Sequence, residues 1–281
     1  MKLTVHAYAK INWSLAICGE RENGYHELDM LMQRIELSDE LSFEPARWLT
    51  LQVDGRHVPS GGSNLVLRAA NALNDALGCR KGARIRLKKN IPSRAGLGGG
   101  SADCAATLLA LNQLWGLRLP LHTLMRIGEK LGADVPYCMH AGLCRVRGIG
   151  EIVEPYENSP AVHLAMVTPG GGLSTPAVFQ AWNAGGYPMT QLDGDALAAA
   201  LNAGDLALAQ QLSQNGLEAP AITLMPEIGE IMEKFRSLGA GFTRMTGSGS
   251  TVFAAFDTEE AARNAAANVP GAIYTKTIGN A

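Results

Sequence analysis

The sequence has no excess of basic residues: 24 Lys and Arg stand against 26 Asp and Glu among 281 residues, a formal net charge of -2. Proteins that hold nucleic acid or an anionic membrane by surface charge carry such an excess. We therefore expect neither nucleic acid nor a membrane as partner. An anionic ligand would have to be bound by groups that the fold brings together locally.

Long apolar runs are also missing, although 47% of the residues are hydrophobic. No segment approaches the roughly 20 apolar residues that a membrane-spanning helix needs. The first residues, MKLTVHAYAKINWSLAI, place Lys10 and Asn12 where a signal peptide would be apolar, and they offer no credible cleavage site. These features predict a mature, cytoplasmic protein.

Cysteine and histidine patterns typical of disulfide frameworks and metal sites are absent from the sequence. The five cysteines form an odd number, contain no C-x-x-C pair and lie in apolar surroundings, which predicts a reducing compartment and buried thiols. The six histidines are dispersed, without H-E-x-x-H. We expect neither a disulfide framework nor a tightly bound transition metal.

Period-two patterns dominate the first third of the chain and predict strands. In ARIRLKKNI, for example, Ile85, Leu87 and Lys89 fall on one face. The stretch SNLVLRAANALNDALG begins with capping residues and ends at Gly78, which predicts a helix. Two further helices are predicted, from about Ala102 to Trp115 and from Leu121 to Leu131.

Turn residues in PYENSP predict a boundary between two domains, residues 1–154 and 155–281, and the length of the chain suits two domains. The patterns of the second half predict a strand, helices, a hairpin, a helix and a strand, in that order. Its helices are predicted in DALAAALNAGDLALAQQL, PEIGEIMEKFRSLG and TEEAARNAAANV, and its hairpin in GFTRMTGSGSTVFAAF. This order predicts an α+β layer with helices on one face of a sheet.

Glycines are concentrated in IPSRAGLGGGSADCAATLLAL, directly ahead of a predicted helix. A loop without Cβ atoms at a helix start lets backbone N–H groups close around a phosphate. A tight connection from strand to helix remains the alternative, although one or two glycines would suffice for it. The stretch is neither a Walker loop, since no lysine follows, nor G-x-G-x-x-G, since Ser101 replaces the last glycine.

The P-x-x-x-G-L-G-G-G-S pattern of Pro92 to Ser101 resembles the ATP loop of the GHMP kinases. AKINWSL, RENGYHEL, LGADVPYC, GIGEIVEP, TPAVF and MTGSGSTVFAAF extend the resemblance over nearly the whole chain, in the family's order. It implies a two-domain α+β fold, with an N-terminal domain like ribosomal protein S5 and a C-terminal ferredoxin-like domain. It also implies phosphoryl transfer from ATP, with Mg²⁺, to a small alcohol.

The resemblance assigns ATP binding to one continuous loop, formed by Pro92, Ser93, Arg94, Ala95, Gly96, Leu97, Gly98, Gly99, Gly100, Ser101 and Ala102. Family members commonly carry glycine or small residues at 93–95 and often a second serine at 102. Arg94 either helps to bind phosphate or points to solvent. No metal ligand is assigned, although the Ser101 hydroxyl is a candidate near Mg²⁺, and Asp103 is expected to be a first-turn charge that offsets the helix dipole.

Two residues match the family's catalytic pair. Asp134, in GADVP, would take the proton of the acceptor alcohol, and Lys10 would keep that carboxylate ionised and balance charge during transfer. By residue type alone, Asp134 suits a helix cap better than a catalytic role, and Lys10 equally suits an outward-facing strand lysine.

The resemblance places a cytidine diphosphate-linked methylerythritol in the acceptor site, phosphorylated on its 2-hydroxyl. Asn12 would contact a substrate hydroxyl, Tyr25, His26 and Phe179 would bind the base by stacking and hydrogen bonding, and Thr175 would lie near the diphosphate. A GHMP kinase of another alcohol, or a non-catalytic nucleotide-binding protein on the same scaffold, is the alternative. The second glycine loop, MTGSGST, is expected to approach a ligand or the first loop closely, or else to give mechanical support only. A monomer or weak homodimer is expected.

Overall fold

The computed structural model describes residues 2–22, 24–55 and 58–279. The chain forms two compact units that alternate along the sequence. The first unit comprises Met1–Ala9, Leu37–Ser93 and Gly98–His140, and the second comprises Lys10–Glu36, Arg94–Leu97 and Ala141–Ala281. The boundary predicted between residues 154 and 155 stays a prediction.

Two long strands, β1 (Leu3–Glu20) and β2 (His26–Ala46), contribute residues to both units. In the first unit, the end of β2 pairs antiparallel with β4 (Gly82–Lys89), and β4 pairs in parallel with β3 (Thr50–Gly55). The predicted alternation of β4 is confirmed, since every second side chain from Ala83 to Lys89 is buried.

Three helices of the first unit pack on one another: α1 (Leu65–Leu77), α2 (Gly99–Leu114) and α3 (Leu121–Glu129). The predicted ends of α1 are confirmed, because Asn64 caps it by accepting from the Val66 N–H and Gly78 ends it in the left-handed conformation. The prediction for the start of α2 is wrong by three residues. Gly99 and Gly100 are helical rather than part of the loop, since the left-handed residue that begins the helix is Gly98, with φ 66°.

The second unit contains two sheet regions. The first part of β2 pairs with β5 (Leu143–Gly148), and β5 pairs with β6 (Ile152–Pro155). The other strands form an antiparallel sheet in the order β10-β7-β9-β8. Their bounds are β7 His163–Val167, β8 Phe242–Met245, β9 Val252–Phe256 and β10 Ile273–Lys276. With helices between β7 and β8 and between β9 and β10, this is the predicted ferredoxin-like arrangement.

The helices of the second unit lie between the strands of this sheet in the sequence, and α6, α8 and α9 pack directly on its strands. The helices are α4 Thr175–Gly185, α5 Gly194–Asn202, α6 Leu206–Leu212, α7 Glu218–Leu224, α8 Glu227–Ser237 and α9 Glu259–Asn268. DALAAALNAGDLALAQQL forms α5 and α6 rather than the one predicted helix, because Gly204 turns left-handed (φ 73°) and Asp205 caps a new helix. Within the described residues, every helix is too short or too polar to cross a bilayer.

The expectation of buried thiols holds for three of the five cysteines. Cys104, Cys138 and Cys144 are buried, and burial raises the pKa of Cys104 and Cys144 to about 12. Cys18 is exposed and Cys79 half-buried, so the expectation is wrong for these two. Cys18 lies next to the end of the buried run of β1, where the strand emerges to solvent.

The buried face of β4 ends with a charge rather than an apolar side chain. Lys89 is buried, and its Nζ donates to Asp39 and, at 2.8 Å, to Asp103 of α2. Asp39 also accepts from the backbone N–H groups of Asn90 and Ile91, at 2.6 and 2.9 Å. This cluster therefore fixes the chain that leaves β4 and the beginning of α2 in one arrangement.

Asp103 is not the first-turn charge that we expected to offset the helix dipole. It is the fifth residue of α2, it is buried, and its Oδ1 has no hydrogen-bond partner among the described residues. A single ammonium group lies between two carboxylates. Burial, together with the charge of Asp39, outweighs the attraction of Lys89 and raises the pKa of Asp103 to about 7.

This shift predicts that stability falls as the pH rises from about 4 to 7. In that window the folded protein keeps a proton on Asp103 that the unfolded chain releases, which costs up to about 1.4 kcal/mol per pH unit. Asp103→Asn should remove that slope, because the amide needs no proton and its oxygen still accepts from Lys89. Urea denaturation at a series of pH values measures the difference.

Asp75→Asn, at an exposed position of α1, is the matched control and should leave the slope as it is in the parent protein. If Asp103→Asn and Asp75→Asn give the same pH dependence, Asp103 does not carry the proton.

Candidate functional site

The glycine-rich segment opens α2 without a side-chain cap. Gly98 is the N-terminal cap, and the first intrahelical bond from its carbonyl goes to the Ala102 N–H at 2.8 Å. The N–H groups of Gly99, Gly100 and Ser101 have no intrahelical acceptor, as in any first turn. They form a set of donors at the positive end of a 16-residue helix, which is suited to an anion.

Packing accounts for part of the glycine content. A Cβ on Gly99 would lie 2.8 Å from Ile91 Cγ2 and 3.1 Å from Lys89 Nζ, and one on Gly100 would lie 3.2 Å from a Leu65 methyl group. The structural alternative, a tight connection from strand to helix, therefore explains Gly99 and contributes at Gly100. Gly98 is explained by its backbone conformation.

Asp134 lies in a turn beside the start of α2. A Cβ built on Gly132 would lie 3.5 Å from Ser101 Oγ, so the turn that carries Asp134 approaches the first turn of the helix. The N–H of Cys138 donates to the backbone carbonyl of Asp134 at 3.1 Å. The short 3-10 helix that follows, Tyr137–Met139, has Pro136 as its N-terminal cap residue.

Lys10 and Asn12 point into the second unit rather than to water. Both are buried, and Lys10 Nζ donates to Asn12 Oδ1 at 2.6 Å. The backbone N–H of Lys10 donates to the carbonyl of Leu97 at 3.0 Å. The outward-facing alternative for Lys10 is therefore wrong. The neighbouring loop residues Ala95 and Leu97 are also buried.

The two glycine loops touch through their backbones, as the small residues of MTGSGST predicted. Gly96 has φ 75°, and a Cβ on it would overlap the carbonyl oxygen of Thr246. A Cβ on Gly247 would lie 3.1 Å from the Gly96 carbonyl and 3.4 Å from Lys10 Nζ. The N–H of Thr251 donates to the Ala95 carbonyl at 3.3 Å. This close approach brings the lysine and both loops together.

Sequence reasoning missed the residues that hold the second loop. Thr246 Oγ1 accepts from the Asn12 N–H at 2.9 Å and donates to the Gly96 carbonyl at 3.3 Å. Asn215 donates from Nδ2 to the carbonyls of Met245 and Gly247, at 2.8 and 2.9 Å. Thr246 lies inside the motif, whereas the only signal at Asn215 is an Asn-Gly pair.

Two of the three residues predicted to bind a base, His26 and Phe179, are in contact. The pair Asn23-Gly24 in RENGYHEL is typical of a hairpin turn. The N–H of Gly24 donates to the Arg21 carbonyl at 2.9 Å, while Asn23 lies outside the described residues. His26, which begins β2, stacks on Phe179 of α4 with centroids 4.8 Å apart. Tyr25 is 61% exposed. Hence the turn and α4 bring His26 and Phe179 together.

The remaining predicted residues lie at the surface. Pro92 is half-buried and Ser93 is exposed. Arg94 is exposed with φ 55°, and its carbonyl accepts from the Leu173 N–H at 3.1 Å, so its backbone is fixed while its side chain reaches solvent. Thr175, at the start of α4, shares a 2.7 Å hydrogen bond with Ser248 of the second loop.

Family models match both halves of the chain. The model described as GHMP kinases N terminal domain matches residues 64–142, and the one described as GHMP kinases C terminal matches residues 197–275. The first range contains α1, the glycine-rich start of α2 and the turn with Asp134. The second contains the second glycine loop.

Curated relatives and a solved structure resemble nearly the whole chain. It is 44% identical to a 4-diphosphocytidyl-2-C-methyl-D-erythritol kinase from Pelotomaculum thermopropionicum over 269 residues, 95% of this chain and 93% of the relative. It is 41% identical to one from Paramagnetospirillum magneticum over 273 residues, 96% and 94%. A crystal structure of 4-(cytidine 5'-diphospho)-2C-methyl-D-erythritol kinase superposes with TM-score 0.86 and 35% identity, covering 99% of this chain and 100% of that one. The predicted two-domain fold is confirmed, and the chain belongs to the GHMP kinase family of ATP-dependent small-molecule kinases.

Proposed function

We propose that this kinase transfers the γ-phosphoryl group of ATP to the 2-hydroxyl of 4-diphosphocytidyl-2-C-methyl-D-erythritol, giving the 2-phosphate and ADP, a step of the non-mevalonate isoprenoid pathway. One observation carries the proposal: uncapped donors at the start of α2 lie beside the turn with Asp134. Phosphoryl transfer to an alcohol needs two parts: hydrogen-bond donors that hold the phosphates, and a carboxylate that can accept the proton of the alcohol. The relatives' names supply the identity of the alcohol.

ATP binding is proposed for the whole loop from Pro92 to Ala102. Its N–H groups at Gly99, Gly100 and Ser101 would hold the phosphates, since the helix dipole favours negative charge there. Arg94 is placed at the surface and would act only by long-range attraction.

Mg²⁺ is proposed to accompany the nucleotide. Among the described residues, no group of three His, Cys, Asp or Glu side chains could hold a metal ion. An Mg²⁺ ion that accompanies ATP keeps waters and phosphate oxygens as most of its ligands, and the Ser101 hydroxyl is a candidate near it. When bound, the ion neutralises the charge of the phosphate oxygens.

Asp134 and Lys10 are proposed as the catalytic residues. Asp134 would accept the proton of the 2-hydroxyl as that oxygen attacks the phosphorus. The buried ammonium of Lys10, held by Asn12 Oδ1, would stabilise negative charge on the transferred group, where exclusion of water strengthens the attraction. Asn12 Nδ2 lies 3.4 Å from the weak acceptor Met30 Sδ, so a substrate hydroxyl would be a better partner for it.

The cytidine end of the substrate is proposed to bind at Tyr25, His26 and Phe179, with Thr175 near the diphosphate. The stacked pair of His26 and Phe179 supplies a flat apolar surface and a ring nitrogen, the two features that recognise a base. The cytoplasmic location, the monomeric or weakly dimeric state, the absence of nucleic-acid partners and the boundary at residue 154 remain predictions.

The acceptor can be identified with a panel of three alcohols in a coupled assay for ADP release. We expect turnover with 4-diphosphocytidyl-2-C-methyl-D-erythritol and none above background with mevalonate or homoserine, which lack a base for His26 and Phe179 to bind. Turnover with either of these would favour a kinase of another alcohol. ATP binding without ADP release on all three would favour a non-catalytic protein.

Asp134→Asn should lower kcat by about 10²–10⁴-fold, because the amide cannot accept the proton. ATP affinity should be nearly unchanged, since the donors of α2 are intact. Steady-state kinetics and calorimetric titration with an ATP analogue measure the two effects. Asp257→Asn, at an exposed position, is the control and should leave both at parent values. Parental kcat in Asp134→Asn would remove Asp134 from the mechanism.

Gly96→Ala should raise the KM for ATP and reduce turnover on the order of 100-fold, because its methyl group would push the two loops apart by the width of an atom. Gly204→Ala is the matched control: it has nearly the same φ, 73° against 75°, and open space around its Cβ. It should lose about 1–2 kcal/mol of stability from backbone strain alone and keep its kinetics. Equal kinetics in both variants would show that the loops tolerate separation.

A further inference from the structure

The imidazole of His26 is held by residues of one helix turn of α4. Phe179 stacks on it with an interplanar angle of 22°, and Trp182 packs edge-on, with centroids 5.1 Å apart and an angle of 85°. His26 is only 8% exposed. Contacts on a face and an edge fix the plane of the ring.

The hydrogen bond of His26 fixes its protonation pattern. Nε2 lies 2.9 Å from Oδ1 of Asn183, the residue that follows Trp182. An amide oxygen only accepts, so the proton of the neutral imidazole is on Nε2 and the lone pair is on Nδ1. Among the described residues Nδ1 has no hydrogen-bond partner, and it is not one of the fully enclosed polar atoms, so it is open to a ligand.

The stack of His26 on Phe179 is displaced rather than directly face to face. The centroid distance of 4.8 Å exceeds the roughly 3.5 Å of face-to-face carbon contact, so the rings are displaced sideways by about 3 Å. Part of the Phe179 face is therefore not covered by His26. A planar base that meets Nδ1 edge to edge would lie in the plane of the imidazole.

We propose that Asn183 is a positioning residue: it holds His26 in the Nε2–H tautomer, and Nδ1 then accepts a hydrogen bond from the 4-amino group of cytosine. This inference rests on the proposed function for its ligand. Uracil carries a carbonyl oxygen at position 4, which would face the Nδ1 lone pair with no proton between them. Asn183 thereby selects a cytidine substrate over its uridine analogue.

Three variants separate this role from a structural one. Asn183→Leu keeps the size of the side chain and removes the acceptor, whereas Asn183→Asp keeps an acceptor oxygen. Gln180→Leu changes an exposed position of the same helix and is the control. All are compared at the same pH, about 8.5.

The first readout needs no substrate. Nitrogen-15 NMR of ring-labelled histidine distinguishes the two tautomers, and the His26→Gln variant assigns the signals. We expect the Nε2–H form in the parent, Asn183→Asp and Gln180→Leu proteins, and loss of its dominance in Asn183→Leu. A parent protein with Nδ1–H, or an unchanged tautomer in Asn183→Leu, would overturn the proposal.

The second readout is the ratio of kcat/KM for the cytidine substrate to kcat/KM for its uridine analogue. We expect a ratio on the order of 100 in the parent, at least tenfold lower in Asn183→Leu and restored in Asn183→Asp. An unchanged ratio in Asn183→Leu would refute the selective role. If the tautomer responds as expected but neither compound is phosphorylated, the proposed function fails and the assignment of the tautomer to Asn183 is supported.

Discussion

The contact between the backbones at Gly96 and Thr246 is the constraint on which the lysine side of the site depends. It excludes any side chain at 96, and it allows the Thr246 hydroxyl to bind the Gly96 carbonyl and the Asn12 N–H together. Asn12 in turn accepts from Lys10, so one threonine links a loop, a strand and a buried ammonium group. Backbone contacts of this kind permit little adjustment, because close-packed interiors relax only partially around an added atom. The position of Lys10 therefore depends on the backbone contacts around it, which permit little movement.

A second buried cluster serves the start of α2. Lys89 replaces the apolar residue that would end the inner face of β4, and the two carboxylates it joins belong to β2 and α2. Buried ion pairs contribute little net stability on average, because desolvation opposes the attraction. The cluster contributes by positioning the chain rather than by adding stability. Asp39 accepts from the N–H groups of the two residues that follow β4, and Asp103 of α2 binds the same ammonium group. Burial of Asp103, together with the second carboxylate at Asp39, raises the pKa of Asp103, and this is the cost of that arrangement.

The sequence predicted most of the elements and part of the site. Period-two patterns and capping residues located β4 and α1, because both signals are local. Gly99 shows where local reasoning fails. The run of glycines indicated a loop, yet Gly99 is helical, and it lacks a side chain because Ile91 and Lys89 occupy the space that a Cβ would need. Asn183 carries no local signal and Asn215 only that of an Asn-Gly pair, since each acts through contacts with residues more than 25 positions away. The expectation for Asp103 failed for the same reason, because its partner Lys89 lies on a different element.

The base-binding surface shows how a structural contact can also set chemical selectivity. If Phe179 and Trp182 alone held His26, either tautomer would pack equally well, because stacking does not distinguish the two nitrogens. Asn183 breaks that equivalence with one acceptor oxygen. In the proposed site the base lies in the plane of the imidazole, on the side of Nδ1. A base in that position presents its edge to Nδ1, so the group at its position 4 decides whether the lone pair is satisfied or left without a proton. Selectivity for an amino group follows from a hydrogen bond on the opposite side of the imidazole from the ligand.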